Sequence, residues 1–352
     1  MRRGLVVAAT GVALVALVAA GLVAFRWWQD RDRTPLQQAT SYAPADAERL
    51  TWTDWAAVRD RLGSDVDAHS SAGEVQDFLD EAFDRDLSSG SALVQSAPVL
   101  QRYFGFSPAT ADWELLSQAK DGAVVFIRLP DDVDLDDVGD HLADAGYTAP
   151  KADDGVWDGG SDLLPDIGSG LTPELQYVAL VADEHLVVTS DRGDYLARVV
   201  DGLGDGALPD PVQEVVDASG SPLSAVVYDG DYVCSALAMS HADREEQVTA
   251  ERLVTEAGGV DPLAAYAMSA QPDGQVRVVL ALSDAEQARA NADSRAALAS
   301  GPAPGQGGDF ADRFTVESAT AKGDLVTLDL TPAKGAYVLS DLSSGPVLFA
   351  SC

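Results

Sequence analysis

One uninterrupted apolar stretch constrains this chain more than any other feature of its sequence. Residues 5–25 read LVVAATGVALVALVAAGLVAF, and Thr10 is the only polar side chain among these 21 residues. At a rise of 1.5 Å per residue, such a helix is about 31 Å long, which matches the hydrocarbon core of a bilayer. We therefore predict that residues 1–28 form a transmembrane anchor, so that the first partner of the chain is the lipid bilayer.

The residues around this stretch bear on its orientation in the membrane and on whether it is cleaved. Arg2 and Arg3 precede it and favour an N-terminus on the cytoplasmic side, whereas three arginines follow it and argue for the reverse. We prefer the first orientation because the sequence beyond residue 33 is poor in cations. A cleaved signal peptide is the alternative, since Val18-Ala19-Ala20 offers a small-residue cleavage site. The apolar run is longer than a signal-peptide core and continues past that site, so we favour the uncleaved anchor.

The rest of the chain is globular in composition and strongly acidic. Hydrophobic residues make up 46% of the 352 residues and charged residues 23%, so the chain can bury a core. Beyond residue 33, 18 basic residues stand against 55 acidic ones, a net charge of −37. Such a surface repels nucleic acid and anionic lipid headgroups. We predict a single-pass protein of the cell membrane, with an extracytoplasmic C-terminal part and no nucleic-acid partner.

The chain has two cysteines, Cys234 and Cys352. Neither has the spacing of a zinc site or of a redox motif. In an oxidising compartment an even pair indicates one disulfide, which here would fasten the chain end to a strand around Cys234. Two free thiols are the alternative, because sequence spacing does not test geometry.

Two pairs of similar segments indicate an internal duplication. Residues 121–146 and 273–301 each read as an Asp-Gly turn, an apolar strand, an acidic helix start and a helix closed by Gly. Residues 177–202 and 314–345 each read as strand, charged turn, strand and helix. Asp-Gly is favoured in the tight turns of antiparallel hairpins. A chance match between ordinary α+β segments is the alternative.

These segments give the predicted organisation. The fold class is α+β: after the transmembrane helix come two similar modules, each a mainly antiparallel sheet with packed helices. Residues 29–45 are polar, with Pro and Ser, and are interpreted as a tether. Module 1 covers 46–206 and module 2 covers 207–352, divided at a stretch rich in Gly and Pro.

Local patterns predict individual elements. Ser71 and Glu74 have the spacing of a capping box and predict that a helix begins there. Asp134 and Gly146 have the residue types that begin and end a helix. The stretch 124–129 is apolar at nearly every position, which predicts a strand covered on both faces.

Recognisable catalytic and cofactor motifs are missing from the sequence. There is no H-E-x-x-H, no G-x-S-x-G elbow and no phosphate-binding loop among the 352 residues. The four His are scattered, and carboxylate pairs for glycoside hydrolysis cannot be singled out among 57 acids. We therefore expect no cofactor and assign no catalytic residue.

Acidic clusters offer weak candidates for a metal site. The first comprises Asp153, Asp154, Asp158 and Asp162, whose intervening glycines would let carboxylates converge on a hard cation. A solvated acidic loop is the competing interpretation, and we prefer it. The second, Asp132–Asp137, resembles the start of an EF-hand loop, but Asp137 stands where Gly is needed. Carboxylates stabilising a helix N-terminus explain this second cluster better.

Two functional hypotheses stay open. The favoured one is a non-enzymatic exported module for ligand binding, sensing or envelope scaffolding, whose partner is a small molecule or an envelope protein. Residues 151–176 form its nominated functional surface, because this segment is long and acidic and has a shorter counterpart in the second module. The alternative is an exported hydrolase of envelope polymers that uses carboxylates no motif marks.

Overall fold

The structure is a computed structural model that describes residues 33–152, 155–204 and 206–352. The segment Gly122–Arg128 shows how its sheet is built. Val124 and Phe126 are buried on one face, and Val125 and Ile127 are buried on the other. An antiparallel sheet with one wet face alternates apolar and polar side chains, so this run predicts helices on both sides. The described residues form a mixed α+β fold with one large antiparallel sheet. The predicted α+β class is confirmed in this general form.

The sheet has 11 strands among the described residues, and every neighbouring pair is antiparallel. In chain order these are β1 Arg49–Thr53, β2 Trp113–Ala119, β3 Gly122–Arg128, β4 Val156–Asp158, β5 Tyr177–Val181, β6 Leu186–Ser190, β7 Ser224–Asp229, β8 Ala265–Ala270, β9 Val276–Ala281, β10 Phe314–Lys322 and β11 Leu325–Pro332. Across the sheet the order is β10-β11-β9-β8-β7-β1-β2-β3-β6-β5-β4.

Helices cover both faces of this sheet. They are α1 Pro35–Thr40, α2 Trp55–Leu62, α3 Ala72–Asp84, α4 Ala97–Tyr103, α5 Leu135–Ala145, α6 Gly160–Ile167, α7 Gly193–Asp201, α8 Asp210–Ser219, α9 Arg244–Glu256, α10 Ala285–Leu298 and α11 Val338–Leu342. Helices α2–α6 and α9–α11 pack on one face and form the larger core with it. Helices α1, α7 and α8 pack on the opposite face and form the smaller core.

The two halves of the chain meet at the centre of the sheet. There β1 pairs with β7, with Arg49 opposite Tyr228 and Thr53 opposite Ser224. Outward from this pair, one side runs β2-β3-β6-β5-β4 and the other runs β8-β9-β11-β10. The strands of residues 46–206 therefore lie on one side and those of residues 207–352 on the other, within one continuous sheet rather than two separate ones.

The helix termini follow the predicted local chemistry. The Ser71 hydroxyl accepts the N–H of Glu74, and the Glu74 carboxylate accepts the N–H of Ser71, so the predicted capping box begins α3. The Asp134 carboxylate caps α5 by accepting the N–H of Asp136. Gly146 ends α5 with φ +101°, a backbone conformation that favours glycine. The acidic run before α5 therefore begins a helix, as the helix N-terminus interpretation predicts.

The predicted tether at 29–45 is wrong for its described part. Residues 35–40 form α1, which begins with a capping box between Thr34 and Gln37. Leu36 and Ala39 are buried in the smaller core, against the sheet and α8. The sequence of this helix is polar, with Pro and Gln, and shows no long apolar face. Burial of two apolar side chains against the rest of the fold stabilises it instead.

The predicted anchor lies outside the described residues. Across the ranges that the structure describes, no helix is both long enough and apolar enough to cross a bilayer.

Candidate functional site

A cavity of about 230 Å³ opens where the two halves of the chain approach each other on the larger-core face. Five separate stretches line it: the end of α2, the end of α3 with the residues after it, Leu223 before β7, the β8–β9 hairpin, and the segment that follows β11. Its lining includes Arg61, Arg85, Asp86, Ala270, Gln275 and Ala336. Because both halves contribute, the cavity exists only in the assembled fold.

Small residues leave this space open. Ala270 ends β8 and pairs with Val276, and both side chains belong to the larger core. The turn between them contains Gly274, whose φ of +89° is a conformation that side chains rarely adopt. Ala333 and Ala336, in the segment after β11, also line the cavity. These small residues, together with the lining side chains Leu62, Leu87, Leu223 and Val276, give the cavity an apolar body.

Charged and amide groups surround this apolar body. Arg61 and Arg85 are both exposed at the ends of α2 and α3. Arg85 forms an ion pair with Glu81 at 3.3 Å, whereas Arg61 has no ion pair within the described ranges. The amide nitrogen of Gln271 donates to the Ser219 carbonyl and to the Ser269 hydroxyl, at 3.3 and 2.8 Å. Such a mixture of apolar wall and few polar groups is typical of ligand sites.

Asp86 borders the cavity and ties the two halves together. Its carboxylate accepts the N–H of Leu339 at 2.6 Å and that of Ser340 at 3.0 Å, both at the start of α11. Burial raises the pKa of the Asp86 carboxyl to about 6, against the opposing effect of these two hydrogen bonds. Beside it, the rings of Phe83 and Tyr337 lie 5.4 Å apart. Asp86 therefore fixes the wall of the cavity.

Glu114 is a second buried carboxyl with a shifted pKa, and it lies away from the cavity. It accepts hydrogen bonds from the Trp55 indole at 3.2 Å and from the Ala92 N–H at 2.9 Å. Burial raises its pKa to about 7. Strongly shifted carboxyls are candidates for catalysis, but structural networks shift pKa values too. The partners of Glu114 are groups that hold α2 and the segment before α4 on the sheet.

Asp54 and Asp112 are the carboxyls most relevant to the hydrolase alternative. Burial raises the pKa of both, and the charge of Asp112 raises that of Asp54 further. The Asp54 carboxylate, however, accepts the Ala57 N–H at 2.9 Å and so caps α2. The half-buried guanidinium of Arg59 is nearby and lowers the pKa of Asp112. This group has a clear structural role at the junction of β1 and α2.

The four weak metal candidates remain a prediction. Asp153 and Asp154 lie outside the described residues. Asp158 ends the edge strand β4, and Asp162 lies in the first turn of α6, both exposed. Within residues 33–152, 155–204 and 206–352, no group of three His, Cys, Asp or Glu side chains could hold a metal ion.

The nominated surface at 151–176 is more structured than a long loop. Its described part contains β4, α6 and a 3₁₀ turn at Pro173–Leu175. Leu164 and Leu175 are buried in the larger core, and Trp157 packs against it. The apolar residues of this acidic segment extend the sheet by one strand and cover its end. Its role as a functional surface stays a prediction.

The disulfide between Cys234 and Cys352 is present, with Cα atoms 5.6 Å apart. Cys234 lies in a π-helical segment, Val233–Leu237, and not in the strand that the sequence predicts. A second cavity of about 360 Å³ lies beside it, lined by Met239, Gln247 and both cysteines. Since only one half of the chain lines this second cavity, we regard the first as the candidate site.

A buried arginine reinforces the disulfide. Arg295 of α10 is fully buried, and its guanidinium donates to the Phe349 and Ser351 carbonyls at 2.7 and 3.1 Å. It also donates to the Asp261 carbonyl, and burial lowers its pKa to about 10. The last residues of the chain are therefore fastened twice, once covalently and once through Arg295.

Comparisons with known proteins give a distant likeness among solved structures. No protein-family model matches the chain, and no curated protein matches it. Among solved structures, crystal form I of TP0453 has a TM-score of 0.39 at 9% identity, covering 87% of this chain and 96% of its own. Crystal form III has a TM-score of 0.40 at 9% identity, covering 86% and 97%. A likeness this distant carries no argument about function.

Sequence reasoning did not find the cavity. Its residues come from positions 61–62, 84–87, 223, 270–276 and 332–336, and apart from the Asp-Gly turn at 273–274 no local motif marks these stretches. The sequence signal for the cavity is the group of small residues after β11. Without knowledge of the fold, these residues indicate an ordinary turn.

Proposed function

We propose that this is a single-pass membrane protein whose acidic folded part lies outside the cytoplasm and binds a small ligand. The observation that carries the binding proposal is the cavity that both halves line, with its apolar wall and polar rim. Export is supported by the disulfide, since such bonds persist in oxidising compartments. The membrane proposal rests on the apolar run at residues 5–25.

We further propose that the folded part consists of two repeated modules, residues 46–206 and 207–352. The strand order supports this, because β1, β2, β3, β6 and β5 occupy the positions on one side that β7, β8, β9, β11 and β10 occupy on the other. In both halves a helix follows the first hairpin, namely α5 after β3 and α10 after β9. A helix also precedes the first strand of each half: α8 lies within 207–352, and α1 lies just before residue 46.

The repeat is broken at the last helix of each half, and this difference helps to form the cavity. In the first half α7 packs in the smaller core. In the second half α11 packs in the larger core instead, where Asp86 accepts two of its N–H groups. The segment that leads to α11 then forms one wall of the cavity, which includes Ala333 and Ala336. A binding site confined to one place in a two-fold repeat is consistent with a single ligand per chain.

The hydrolase alternative would depend on Asp54 and Asp112. Their raised pKa values are the observation that favours it. Under this alternative, substitution of either residue by Asn abolishes hydrolysis of envelope polymers. Under the binding proposal, the same variants leave ligand binding unchanged, because neither residue lines the cavity. Asp54→Asn also keeps the cap of α2, because Asn caps a helix as well as Asp does.

Ligand-observed NMR with a library of small fragments tests the binding proposal. We expect several fragments to bind the wild-type chain and not Ala270→Leu, which fills the cavity from β8. Ala143→Leu on the exposed face of α5 is the matched control and should bind as the wild type does. An identical set of binding fragments for all three proteins would rule the cavity out.

Protease treatment of intact cells tests the location. We expect added protease to remove the folded part while the cells stay intact. Protection in intact cells, with digestion only after lysis, would contradict the proposed orientation.

A further inference from the structure

We infer that the cavity between the two halves takes a small organic anion, a carboxylate carried on a compact apolar body, with Arg61 as its counter-charge. The inference rests on the proposed function, because it presupposes that the cavity binds a ligand. Three observations carry it: the size of the cavity, the chemistry of its wall, and the way its charged groups are already used.

The size limits the ligand to about one ring. The cavity measures about 230 Å³. An engineered protein cavity of about 150 Å³ holds benzene, so the present one has room for a ring of that size and one polar substituent. The wall formed by Ala270, Val276 and Ala336 suits an apolar ring and offers it no hydrogen bond. A polar substituent would therefore have to lie at the rim.

The two acids of the rim are already partnered by donors. The Asp86 carboxylate accepts the N–H groups of Leu339 and Ser340. The Asp84 carboxylate accepts the Tyr337 hydroxyl at 3.4 Å. A cationic ligand at Asp86 would have to compete for the two oxygens that hold the start of α11 in place, whereas Asp84 is exposed and uses one oxygen. Asp86 is thus poorly suited to bind an ammonium group.

The two arginines that line the cavity have weaker or fewer partners than its acids. Arg85 pairs with Glu81 on the exposed surface of α3, with both side chains about half exposed, and such pairs are weak. Arg61 has no ion pair within the described ranges. A guanidinium presents paired N–H groups that match the two oxygens of a carboxylate. Two arginines and two aspartates line the cavity, and of these four charged side chains Arg61 is the one without an ion pair or hydrogen bond in the described part of the chain, which leaves it available to an anion.

Three probes of one shape separate the ligand classes: benzoate, benzamide and benzylamine. Each is titrated calorimetrically at one ionic strength into the full-length chain in lipid nanodiscs, with empty discs as the blank. We expect benzoate to bind at least tenfold more tightly than the other two. Arg61→Gln should weaken benzoate binding by about tenfold, the value of one charge-assisted contact, and leave benzamide binding unchanged.

The matched control is Arg102→Gln, since Arg102 is exposed on α4 and lies over the Tyr103 ring, away from the cavity. It should bind all three probes as the wild type does. Arg85→Gln reports on the second guanidinium. A loss of benzoate binding in Arg85→Gln but not in Arg61→Gln overturns the assignment to Arg61.

The other outcomes separate the inference from the proposed function. Benzamide or benzylamine binding as tightly as benzoate overturns the anion inference while supporting a ligand site. Failure of all three probes also overturns the inference, and the fragment screen with Ala270→Leu then decides whether the proposed function fails with it.

Discussion

The carboxylate of Asp86 accepts the backbone N–H of Leu339 at 2.6 Å, although the two residues are 253 positions apart in the chain. Asp86 follows α3 of the first half, and Leu339 lies in α11, the last helix of the second. Each half thus supplies one side of a contact that borders the cavity. This single interaction links the association of the halves to the shape of the candidate site.

The first prediction is a pH dependence of stability that arises from Asp86. Burial raises its folded-state pKa to about 6, above the ordinary value of 3.8. The folded state therefore binds the proton more tightly, and the resulting stabilisation is complete below about pH 4 and is lost as the pH rises through about 6. Between about pH 4.5 and pH 7.5 this group should lower the free energy of unfolding by about 2 kcal/mol.

Urea unfolding of the wild type and of Asp86→Asn at both pH values measures the contribution of Asp86 to stability, since all other titrating groups are common to the two proteins. The variant and the wild type differ in their free energy of unfolding. Between the lower and the higher pH, this difference should shift by about 2 kcal/mol in favour of the variant. Asp84→Asn, an exposed change two residues away, is the control. Parallel pH profiles for wild type and Asp86→Asn would show that Asp86 titrates as an exposed carboxyl.

The second prediction concerns Arg295. Replacing it with Met leaves the buried carbonyls of Phe349 and Ser351 without their donor. We expect a loss of about 3 kcal/mol in the free energy of unfolding, because unpaired buried acceptors keep their desolvation cost. Arg289→Met, an exposed change on the same helix, should cost less than about 0.5 kcal/mol. Urea unfolding followed by tryptophan fluorescence measures both variants. Equal effects of the two substitutions would contradict a stabilising role for the hydrogen bonds of Arg295.

The third prediction is the contribution of the disulfide. Cys234 and Cys352 are 118 residues apart, and in the chain-entropy model a loop of this length is worth about 4–5 kcal/mol. Cys352→Ala should therefore lower the free energy of unfolding by up to that amount. Mass mapping of the protein isolated from cells without reductant should recover the two peptides linked. Two thiols open to alkylation in that material would refute the bond.

The fourth prediction compares two buried threonines. The Thr53 hydroxyl has no hydrogen-bond partner in the part of the chain that the structure describes, whereas the Thr40 hydroxyl donates to the Leu36 carbonyl at 3.0 Å. Thr53→Val should raise the free energy of unfolding by about 1 kcal/mol, and Thr40→Val should lower it by a similar amount. Thermal unfolding resolves both changes. A destabilised Thr53→Val would mean that this hydroxyl has a partner in solution.

Much of the sheet could be predicted from local patterns. The apolar run at 124–129 predicts a strand buried on both faces, and β3 has this environment. The spacing of Ser71 and Glu74 predicts the start of α3, because a capping box needs only neighbouring residues. These features depend on interactions within a few residues, which the sequence displays directly.

What the sequence does not display depends on contacts between distant residues. Helix α1 reads as a polar tether, since burial of Leu36 and Ala39 is decided by the sheet it packs on. Cys234 is expected in a strand, but β7 ends at Asp229 and the chain continues as a helical segment. The cavity combines the end of α3 with the segment before α11, and no sequence pattern relates those two stretches.

A crystal of the protein soaked with small aromatic acids and amides decides whether the halves form a binding site between them. We predict density inside the cavity, with the ring against Val276 and a carboxylate at the Arg61 guanidinium. An empty cavity, with fragments bound instead beside Cys352 or only at scattered surface positions, would contradict a ligand site at the junction of the two halves.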